Sequence, residues 1–272
     1  MSDNSRWAVK LDADRFGPWA VVTGASSGIG REFARQLAAS GINVVLVSRR
    51  SEVLEQVGET LKQRYGVAFR TIVADLSTEQ GVSAVKQRTS DLDVGLLVSN
   101  AGAGHPGNFL AFDEAELRAT AQLNALSYMV LTHHFSRRFV QRGKGATLLV
   151  SALGADTGIP FNAHSAATKA LVTVLGRSIH AELRPFGVGV TVLIVTPTET
   201  PIIDKMGLRS SAMPMKPMTV AQCVGEGLAG LRRNRMTVLP GRLYRIMNRL
   251  MPAGLVRSMT ANMMRQSTKF VS

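Results

Sequence analysis

Cysteine is almost absent from this chain of 272 residues, whose single thiol is Cys223. One thiol cannot form an internal disulfide or a cysteine-cluster metal site, and its scarcity is typical of a reducing compartment. Apolar runs long enough to span a bilayer are also missing, and residues 1–19 lack the apolar core of a secretory signal. We therefore expect a cytoplasmic protein without disulfides or a metal site.

Acidic residues are scarce as well, since 19 of them stand against 32 lysines and arginines and leave a net charge of +13. Such an excess favours phosphorylated ligands, nucleic acid or anionic lipid as partners. We do not expect nucleic acid, because no nucleic-acid-binding motif accompanies the charge.

The C-terminal segment 242–272 contains no acid at all. Apolar residues alternate there with basic ones at partly helical spacing, which predicts a basic amphipathic tail over about residues 241–272. Such a tail packs on its own domain or a second subunit, our first choice, or lies on an anionic membrane surface, our second. Its basic residues are Arg242, Arg245, Arg249, Arg257, Arg265 and Lys269.

Short apolar strands alternate with helical stretches along the chain. This alternation predicts an α/β fold of the Rossmann type, a doubly wound parallel sheet of about seven strands with helices on both faces. No linker or internal repeat divides the sequence, so we expect one domain over residues 1–272. The predicted strands are 19–22, 43–47, 69–74, 94–99, 147–151 and 188–195, and the predicted helices include 51–64, 115–140 and 166–183.

A glycine-rich loop, residues 23–30 (TGASSGIG), follows the first strand and opens the first helix. Gly24, Gly28 and Gly30 let the backbone turn tightly and approach a pyrophosphate, which binds the free N–H groups of the helix. The strand and helix stand where this mechanism needs them, so the loop predicts dinucleotide binding rather than a simple turn.

The end of the second strand reads Ser48-Arg49-Arg50. In dinucleotide folds this position, about 20 residues past the glycines, contacts the adenosine ribose. An arginine can bind a 2′-phosphate through two hydrogen bonds, and no acid is present to repel it. Arg49 therefore predicts NADP(H) as the cofactor, with a solvated strand-end arginine as the alternative.

With these features the chain resembles the short-chain dehydrogenase/reductase family over residues 19–236. TGASSGIG looks like the family's cofactor loop, Asp75-Leu76 resembles its adenine-holding pair, and residues 99–102 (SNAG) resemble its NNAG element. Residues 17–50 are most similar to the branch of 3-ketoacyl reductases and 17β-hydroxysteroid dehydrogenases, whose substrates are lipophilic ketones. The resemblance implies cofactor contacts from Gly24, Ser26, Ser27, Gly28, Ile29, Gly30, Arg49, Asp75, Leu76, Asn100, Ala101, Gly102, Lys169 and Thr200.

The resemblance breaks at the reactive end of the cofactor. In the family a tyrosine gives the proton, a serine holds the carbonyl oxygen, and a lysine lowers the tyrosine pKa. Lys169 matches that lysine, but Ser165 stands at the tyrosine position and Ala152 at the serine position. A register shifted by one residue pairs Ser151 with His164 instead. It needs an insertion before Lys169, so we prefer the ungapped register.

The candidate proton-transfer residues are Lys169, Asn124, Ser165 and His164. An alcohol such as Ser165 is too weakly acidic to replace a phenol, so we predict a route through Lys169, Asn124 and bound water. Asn124 matches a family asparagine that supports a water relay. His164 is chemically suited to proton transfer, because a free imidazole titrates near neutral pH, but a residue next to Ser165 on the helix points in another direction. His105 is the second histidine candidate. A Ser165–Lys169 nucleophile pair lacks an identifiable oxyanion hole.

Residues 201–220 follow the sixth strand, where the family places its substrate lid. Before them, residues 195–200 replace the family's PGxxxT motif and keep only Thr200. Methionines suit a cover for an apolar ligand. We interpret His133 and His134 as structural, because adjacent helical residues face different directions. The methionines of the expected lid are Met206, Met213, Met215 and Met218.

Three functions follow from these residues. The first is an NADP(H)-dependent oxidoreductase that acts on a small lipophilic carbonyl or alcohol by a rearranged proton route. The second is a non-redox enzyme on the same fold, such as an isomerase, lyase or cyclase. The third is a catalytically inactive NADP(H)-binding or regulatory protein. In each case we expect a homo-oligomer, a dimer or tetramer.

Overall fold

The computed structural model describes residues 6–200 and 216–267. Its strands are β1 (Trp19–Thr23), β2 (Asn43–Ser48), β3 (Phe69–Val73), β4 (Val94–Ser99), β5 (Gly145–Ala152), β6 (Val188–Val195) and β7 (Thr237–Val238). They form one parallel sheet in the order β3-β2-β1-β4-β5-β6-β7. The predicted Rossmann-type sheet is confirmed, and β7 is the strand that the sequence pattern did not locate.

Helices cover both faces of this sheet. Alternate strand residues point to opposite faces, so Val22 and Leu46 join one core cluster while Val21 and Val45 join the other. The helices are α1 (Ala13–Phe16), α2 (Gly28–Ala38), α3 (Ser51–Tyr65), α4 (Glu79–Gln87), α5 (Glu114–Ala121), α6 (Ser127–Arg142), α7 (Ala163–Leu183), α8 (Val220–Arg232), α9 (Arg242–Leu250) and α10 (Ala253–Ser267). α2, α3 and α8 pack on the first face, and α4 and α6 on the second.

The sequence pattern does not locate α1, α4 or α8. The last two contain glycines, which weaken helix propensity. Packing explains both. A methyl group on Gly81 in α4 would lie 2.0 Å from the Asp75 carbonyl oxygen, and one on Gly230 in α8 would lie 2.1 Å from the Val238 side chain. Close approach of the helix to its neighbours therefore outweighs the local propensity.

The single helix predicted over residues 115–140 is divided into three pieces. A π-helical turn, Gln122–Leu126, separates α5 from α6. Such turns are rare and are frequent at functional sites. The interruption lies at Asn124, one of the predicted site residues.

The sheet order places a ligand crevice between β1 and β4. The chain runs outward from β1 to β3 and then returns to β4 on the other side of β1. At such a switch point the loops after the two strands diverge and open a crevice beyond the carboxyl ends. The glycine-rich loop and the loop after β4 border this crevice.

The predicted tail forms α9 and α10 as far as Ser267, and residues 268–272 lie outside the described part. Tyr244 packs against the main core, and Arg245 pairs with Glu226 at 2.8 Å. Of the helices that the structure describes, none is both long and apolar enough to cross a membrane.

Candidate active site

The glycine-rich loop has the shape that a phosphate ligand requires. Gly24 and Gly28 adopt φ angles of 69° and 52°, in the left-handed region that favours glycine. A methyl group on Gly30 would lie 2.2 Å from the Gly24 carbonyl oxygen, so no side chain fits there. Ser27 caps α2 with an extended backbone and no side-chain hydrogen bond, and the first turn holds no acid. The helix start is therefore open to an anion.

Asn100 and Thr23 fix the loops after β4 and β1 together. The Thr23 hydroxyl accepts hydrogen bonds from the backbone N–H groups of Asn100 and Ala101, at 2.8 and 2.9 Å. The Asn100 side-chain amide donates to the Thr23 carbonyl oxygen at 2.9 Å. A methyl group on Gly24 would lie 2.7 Å from that amide nitrogen. Two of the predicted cofactor elements are thus rigidly joined.

Two arginines follow β2, and they differ in what they contact. Arg49 is exposed and lies 3.8 Å from the Asp75 carboxylate. Arg50 donates to the Ser26 hydroxyl at 2.8 Å and so connects β2 to the glycine-rich loop. Burial raises the pKa of Asp75, but hydrogen bonds from Ser77 and the charge of Arg49 outweigh it and keep the pKa below its ordinary value.

Side chains of the other predicted cofactor residues are distributed between the crevice and the core. Leu76 is 4% exposed and belongs to a core cluster, so only its backbone is available to an adenine. Ile29 packs on the opposite cluster. Thr200 is the last residue described before the gap at 201–215, so the expected lid lies mostly outside the described residues. The last residue of the expected lid, Val220, is the first residue of α8.

The residues present fit a phosphorylated dinucleotide. The open start of α2 suits a diphosphate, the bare backbone at Gly30 permits its close approach, and the cations after β2 stand where a ribose phosphate would lie. These observations concern the adenosine and diphosphate part of the cofactor and do not extend to the nicotinamide.

Lys169, in α7, is held by a residue that sequence reasoning missed. Its Nζ atom donates to the Tyr128 hydroxyl and to the Val150 carbonyl oxygen, both at 3.0 Å, and lies 4.4 Å from the centroid of the Tyr128 ring. No carboxylate pairs with it among the described residues. Its side chain is half-buried, and desolvation lowers the pKa of Lys169 to about 7.

Tyr128 is 1% exposed and packs with Leu149, Val172 and Val190. Burial raises the pKa of its phenol well above the ordinary value, so it remains protonated. A signal was present in the sequence, because Tyr128 stands four residues after Asn124 and therefore on the same side of a helix. The phenol–lysine contact places a tyrosine on the inner side of Lys169.

Asn124 does not contact Lys169 through a hydrogen bond. Its amide accepts from the Ala103 N–H at 2.9 Å and donates to the Ala103 carbonyl at 2.7 Å, which holds the loop after β4. A methyl group on Gly102 would lie 3.1 Å from the Asn124 Oδ1 atom and 3.3 Å from the Lys169 Nζ atom. The side chain that was expected to support a water relay instead positions this loop.

Unpartnered polar atoms gather at the start of α7. Ser165 Oγ, Asn162 Oδ1 and His164 Nδ1 are buried and have no hydrogen-bond partner within the described residues. Ser165 is 5% exposed and Asn162 7%. Leaving such atoms unpaired costs about 1–3 kcal/mol each, so the start of α7 has unused capacity to bind a polar group or water. Ser165 Oγ makes no hydrogen bond to Lys169 Nζ, so this structure does not form the Ser165–Lys169 nucleophile pair.

Ser151, the serine of the shifted register, is turned away from His164. Its hydroxyl donates to the Lys169 carbonyl oxygen at 2.9 Å and lies 2.7 Å from the Thr173 hydroxyl. These contacts attach β5 to the middle of α7. These contacts therefore do not support the shifted register. In the ungapped register the serine position is the next residue along β5, half-buried Ala152.

The candidate histidines lie at the edge of the site. The His164 ring packs on Phe112 with centroids 4.3 Å apart, and burial together with nearby His105 lowers the pKa of His164. His105 is exposed in the loop after β4. His133 and His134 lie in α6, and no group of three potential metal ligands occurs among the described residues.

Comparisons with known proteins agree with this architecture. Residues 18–209 match the family model described as short chain dehydrogenase. The very-long-chain 3-oxoacyl-CoA reductase of Mus musculus is 33% identical over 189 residues, which are 67% of this chain and 61% of the relative. The 7beta-hydroxysteroid dehydrogenase of Clostridium sardiniense is 31% identical over 188 residues, 69% of this chain and 72% of the relative.

A solved structure supports the same grouping. The short-chain dehydrogenase from Sphingobium yanoikuyae in complex with NADPH superposes with a TM-score of 0.79 at 28% identity, covering 93% of this chain and 99% of that one. The match to the mouse relative spans only about three fifths of its length, 61%. The family model alone covers well over half of the chain. The chain belongs to the short-chain dehydrogenase/reductase family.

Proposed function

We propose that this protein is an NADP(H)-dependent oxidoreductase that reduces a lipophilic ketone, or oxidises the matching alcohol, with Lys169 as its proton source. The observation that carries the proposal is the Lys169 amine. It faces no carboxylate among the described residues, its pKa is about 7, and it is held by a buried phenol at the crevice. A lysine that loses its proton near neutral pH can act as general acid or base.

The proton route uses residues of this chain on both sides of the amine. When bound, a nicotinamide cofactor supplies the hydride in reduction and accepts it in oxidation. In reduction the Lys169 ammonium releases one proton towards the substrate oxygen through bound water, and solvent later restores it. The Tyr128 hydroxyl accepts a hydrogen bond from the ammonium and donates one to the neutral amine, so it stabilises both states.

A lipophilic substrate is supported by the surface near the crevice and by the relatives. Phe109 and Leu110, on the loop after β4, are 51% and 88% exposed. Exposed apolar side chains beside a crevice favour an apolar ligand. The relatives are named for a very-long-chain 3-oxoacyl-CoA and a 7beta-hydroxysteroid, and the acyl chain of the first and the ring system of the second are large and apolar.

Single-turnover absorbance at the reduced-nicotinamide band tests the function. We expect NADPH mixed with enzyme and a panel of long-chain and polycyclic ketones to be oxidised with at least one of them, and the rate to fall as pH rises through about 7. NADPH that binds but is not oxidised with any ketone would favour the inactive binding protein. Consumption of a substrate without oxidation of NADPH would favour the non-redox enzyme.

Cofactor preference gives a separate prediction. Arg49→Ala should weaken NADP(H) binding by about 10- to 100-fold, since a hydrogen bond to a charged phosphate contributes about 1.5–3 kcal/mol. Affinity for NAD(H), which lacks that phosphate, should change little. Isothermal titration calorimetry with both cofactors measures the ratio, and Arg64→Ala on α3 is a matched control. An unchanged ratio in Arg49→Ala would show that this arginine does not select the cofactor.

We also propose that the protein is a homo-oligomer joined through α6 and α7. A groove of about 530 Å³ between these helices is lined by six apolar and six polar residues, and the polar ones include Arg137 and Glu182. Phe186 in the lining is 53% exposed, and Val174, next to Leu175 of the lining, is 60% exposed. Charges of both signs on one apolar face make that face self-complementary, which suits a second copy.

Sedimentation velocity tests this contact. Val174→Glu places a charge on the exposed apolar face, so we expect the protein to dissociate towards the monomer with its circular dichroism unchanged. Leu110→Glu adds the same charge to an exposed position outside α6 and α7, in the segment after β4, and should leave the oligomer intact. If both variants sediment as the parent does, the contact lies elsewhere.

A further inference from the structure

The outward side of α9 is an apolar stripe without a partner. Leu243, Ile246 and Leu250 follow one another at intervals of three and four residues, and they are 56%, 45% and 73% exposed. Tyr244 and Met247, on the inward side, are half-buried against the protein. The core thus takes one side of this short helix and leaves the other in water.

α10 carries exposed apolar residues as well. Leu255 and Met259, one helical turn apart, are 52% and 37% exposed. Large exposed apolar side chains that are concentrated in one part of a protein mark an interaction surface. We call these five residues, from Leu243 to Met259, the tail stripe.

Cations border the tail stripe and none of them is neutralised by the tail itself. Arg242 and Arg249 are seven residues apart and therefore lie on one line of α9, next to Leu243 and Leu250. Neither arginine pairs with a carboxylate in the ranges that the structure covers, and residues 242–272 contain no acid. The surface therefore combines exposed apolar side chains with positive charge only.

The tail lies at the carboxyl edge of the sheet, beside the crevice. α9 begins just after β7, and a methyl group on Gly241 would lie 2.9 Å from Met218, which follows the gap after Thr200. Arg265 in α10 stacks over the Phe161 ring, 5.5 Å from its centroid, in the loop before α7. The tail stripe thus occupies the edge of the molecule that carries the candidate active site.

We propose that the tail stripe and its arginines dock on an anionic lipid bilayer. An interfacial helix of this kind inserts its apolar side between the lipids while its cations contact the anionic headgroups. A second copy fits less well, because two such faces of the same sign repel, unlike the mixed-sign groove of α6 and α7. Nucleic acid would use the arginines and leave the exposed leucines in water.

Vesicle flotation of the full chain tests the proposal without substrate or cofactor, so its result is independent of the proposed reaction. We expect binding to phosphatidylcholine vesicles that contain phosphatidylglycerol and little binding to phosphatidylcholine alone. Leu243→Gln, Ile246→Gln and Leu250→Gln together should lower the bound fraction to that of the neutral vesicles. All three positions are exposed, so the fold should persist, which circular dichroism checks.

The charge contribution is tested by a matched pair of variants. Arg242→Gln with Arg249→Gln should weaken binding to the anionic vesicles by about fivefold per arginine. Lys144→Gln with Arg184→Gln removes the same charge from exposed positions before β5 and β6, at the opposite edge, and should change binding by less than that. Equal weakening by both pairs, or no binding by the parent protein, overturns the proposal. A drop in sedimenting mass caused by the triple glutamine variant would assign the stripe to a second copy.

Discussion

Replacing Lys169 by methionine should lower the rate of ketone reduction by about 10²- to 10⁴-fold, the usual contribution of a positioned proton donor. Methionine keeps the length and packing of the lysine stem but cannot carry a proton. The rate is measured in single turnovers at the reduced-nicotinamide band, at saturating NADPH. Lys144→Met, a surface lysine on the far edge, is the control and should behave as the parent does.

The same variant also makes a prediction about stability, because the pKa of Lys169 falls from 10.5 in the unfolded chain to about 7 in the folded one. Between these values the unfolded state binds more protons, so the free energy of unfolding of the parent rises with pH across this window. Lys169→Met lacks that dependence. We expect the variant to be the more stable of the two near pH 7 and its advantage to shrink as pH approaches 10.5.

The two readouts separate a proton donor from a structural residue. If Lys169 is only structural, its replacement should lower both the free energy of unfolding and the rate of reduction. If Lys169 is a proton donor that is retained at a cost in stability, its replacement should lower the rate and raise the free energy of unfolding. If Lys169→Met retains a rate within tenfold of the parent, Lys169 is not the proton source and the proposed route is wrong.

The sequence predicts the backbone shape of the glycine-rich loop far better than the contacts around Lys169. The glycine-rich loop depends on backbone turns that only glycine permits, so Gly24, Gly28 and Gly30 identify it directly. The strands are equally easy to predict from the sequence, since residues buried on both faces of a parallel sheet form short apolar runs. β4 and β6 begin and end at the residues that the pattern predicted.

The reactive end depends on contacts between distant segments, which no local pattern records. Tyr128 meets Lys169 across 41 residues, and Asn124 meets Ala103 across 21. In the same way, Arg50 rather than Arg49 holds the glycine-rich loop, because side-chain direction at the end of β2 decides between neighbours. Residue type alone can identify these residues as candidates, but it cannot predict which of them contact one another.

Tyr128→Phe tests the inner half of the proton route, and its largest expected effect is on pH dependence. The variant keeps the ring and its packing but removes the hydroxyl that accepts a hydrogen bond from the Lys169 ammonium. The charged amine then has only the Val150 carbonyl as an acceptor among its contacts. Losing an acceptor disfavours the charged form, so the pKa of Lys169 should fall below about 7. The falling limb of the reduction rate should move to lower pH by a similar amount.

Stability and a matched tyrosine complete the test. Removing one partner of a buried hydrogen bond should lower the free energy of unfolding of Tyr128→Phe by about 1–3 kcal/mol. Tyr244 provides the contrast, because its buried hydroxyl has no hydrogen-bond partner within the described residues. Tyr244→Phe should therefore not lower the free energy of unfolding, and it should leave the pH profile of reduction unchanged. A merely structural Tyr128 would reduce stability without moving the pH profile, and that combination would remove Tyr128 from the proton route while leaving Lys169 in it.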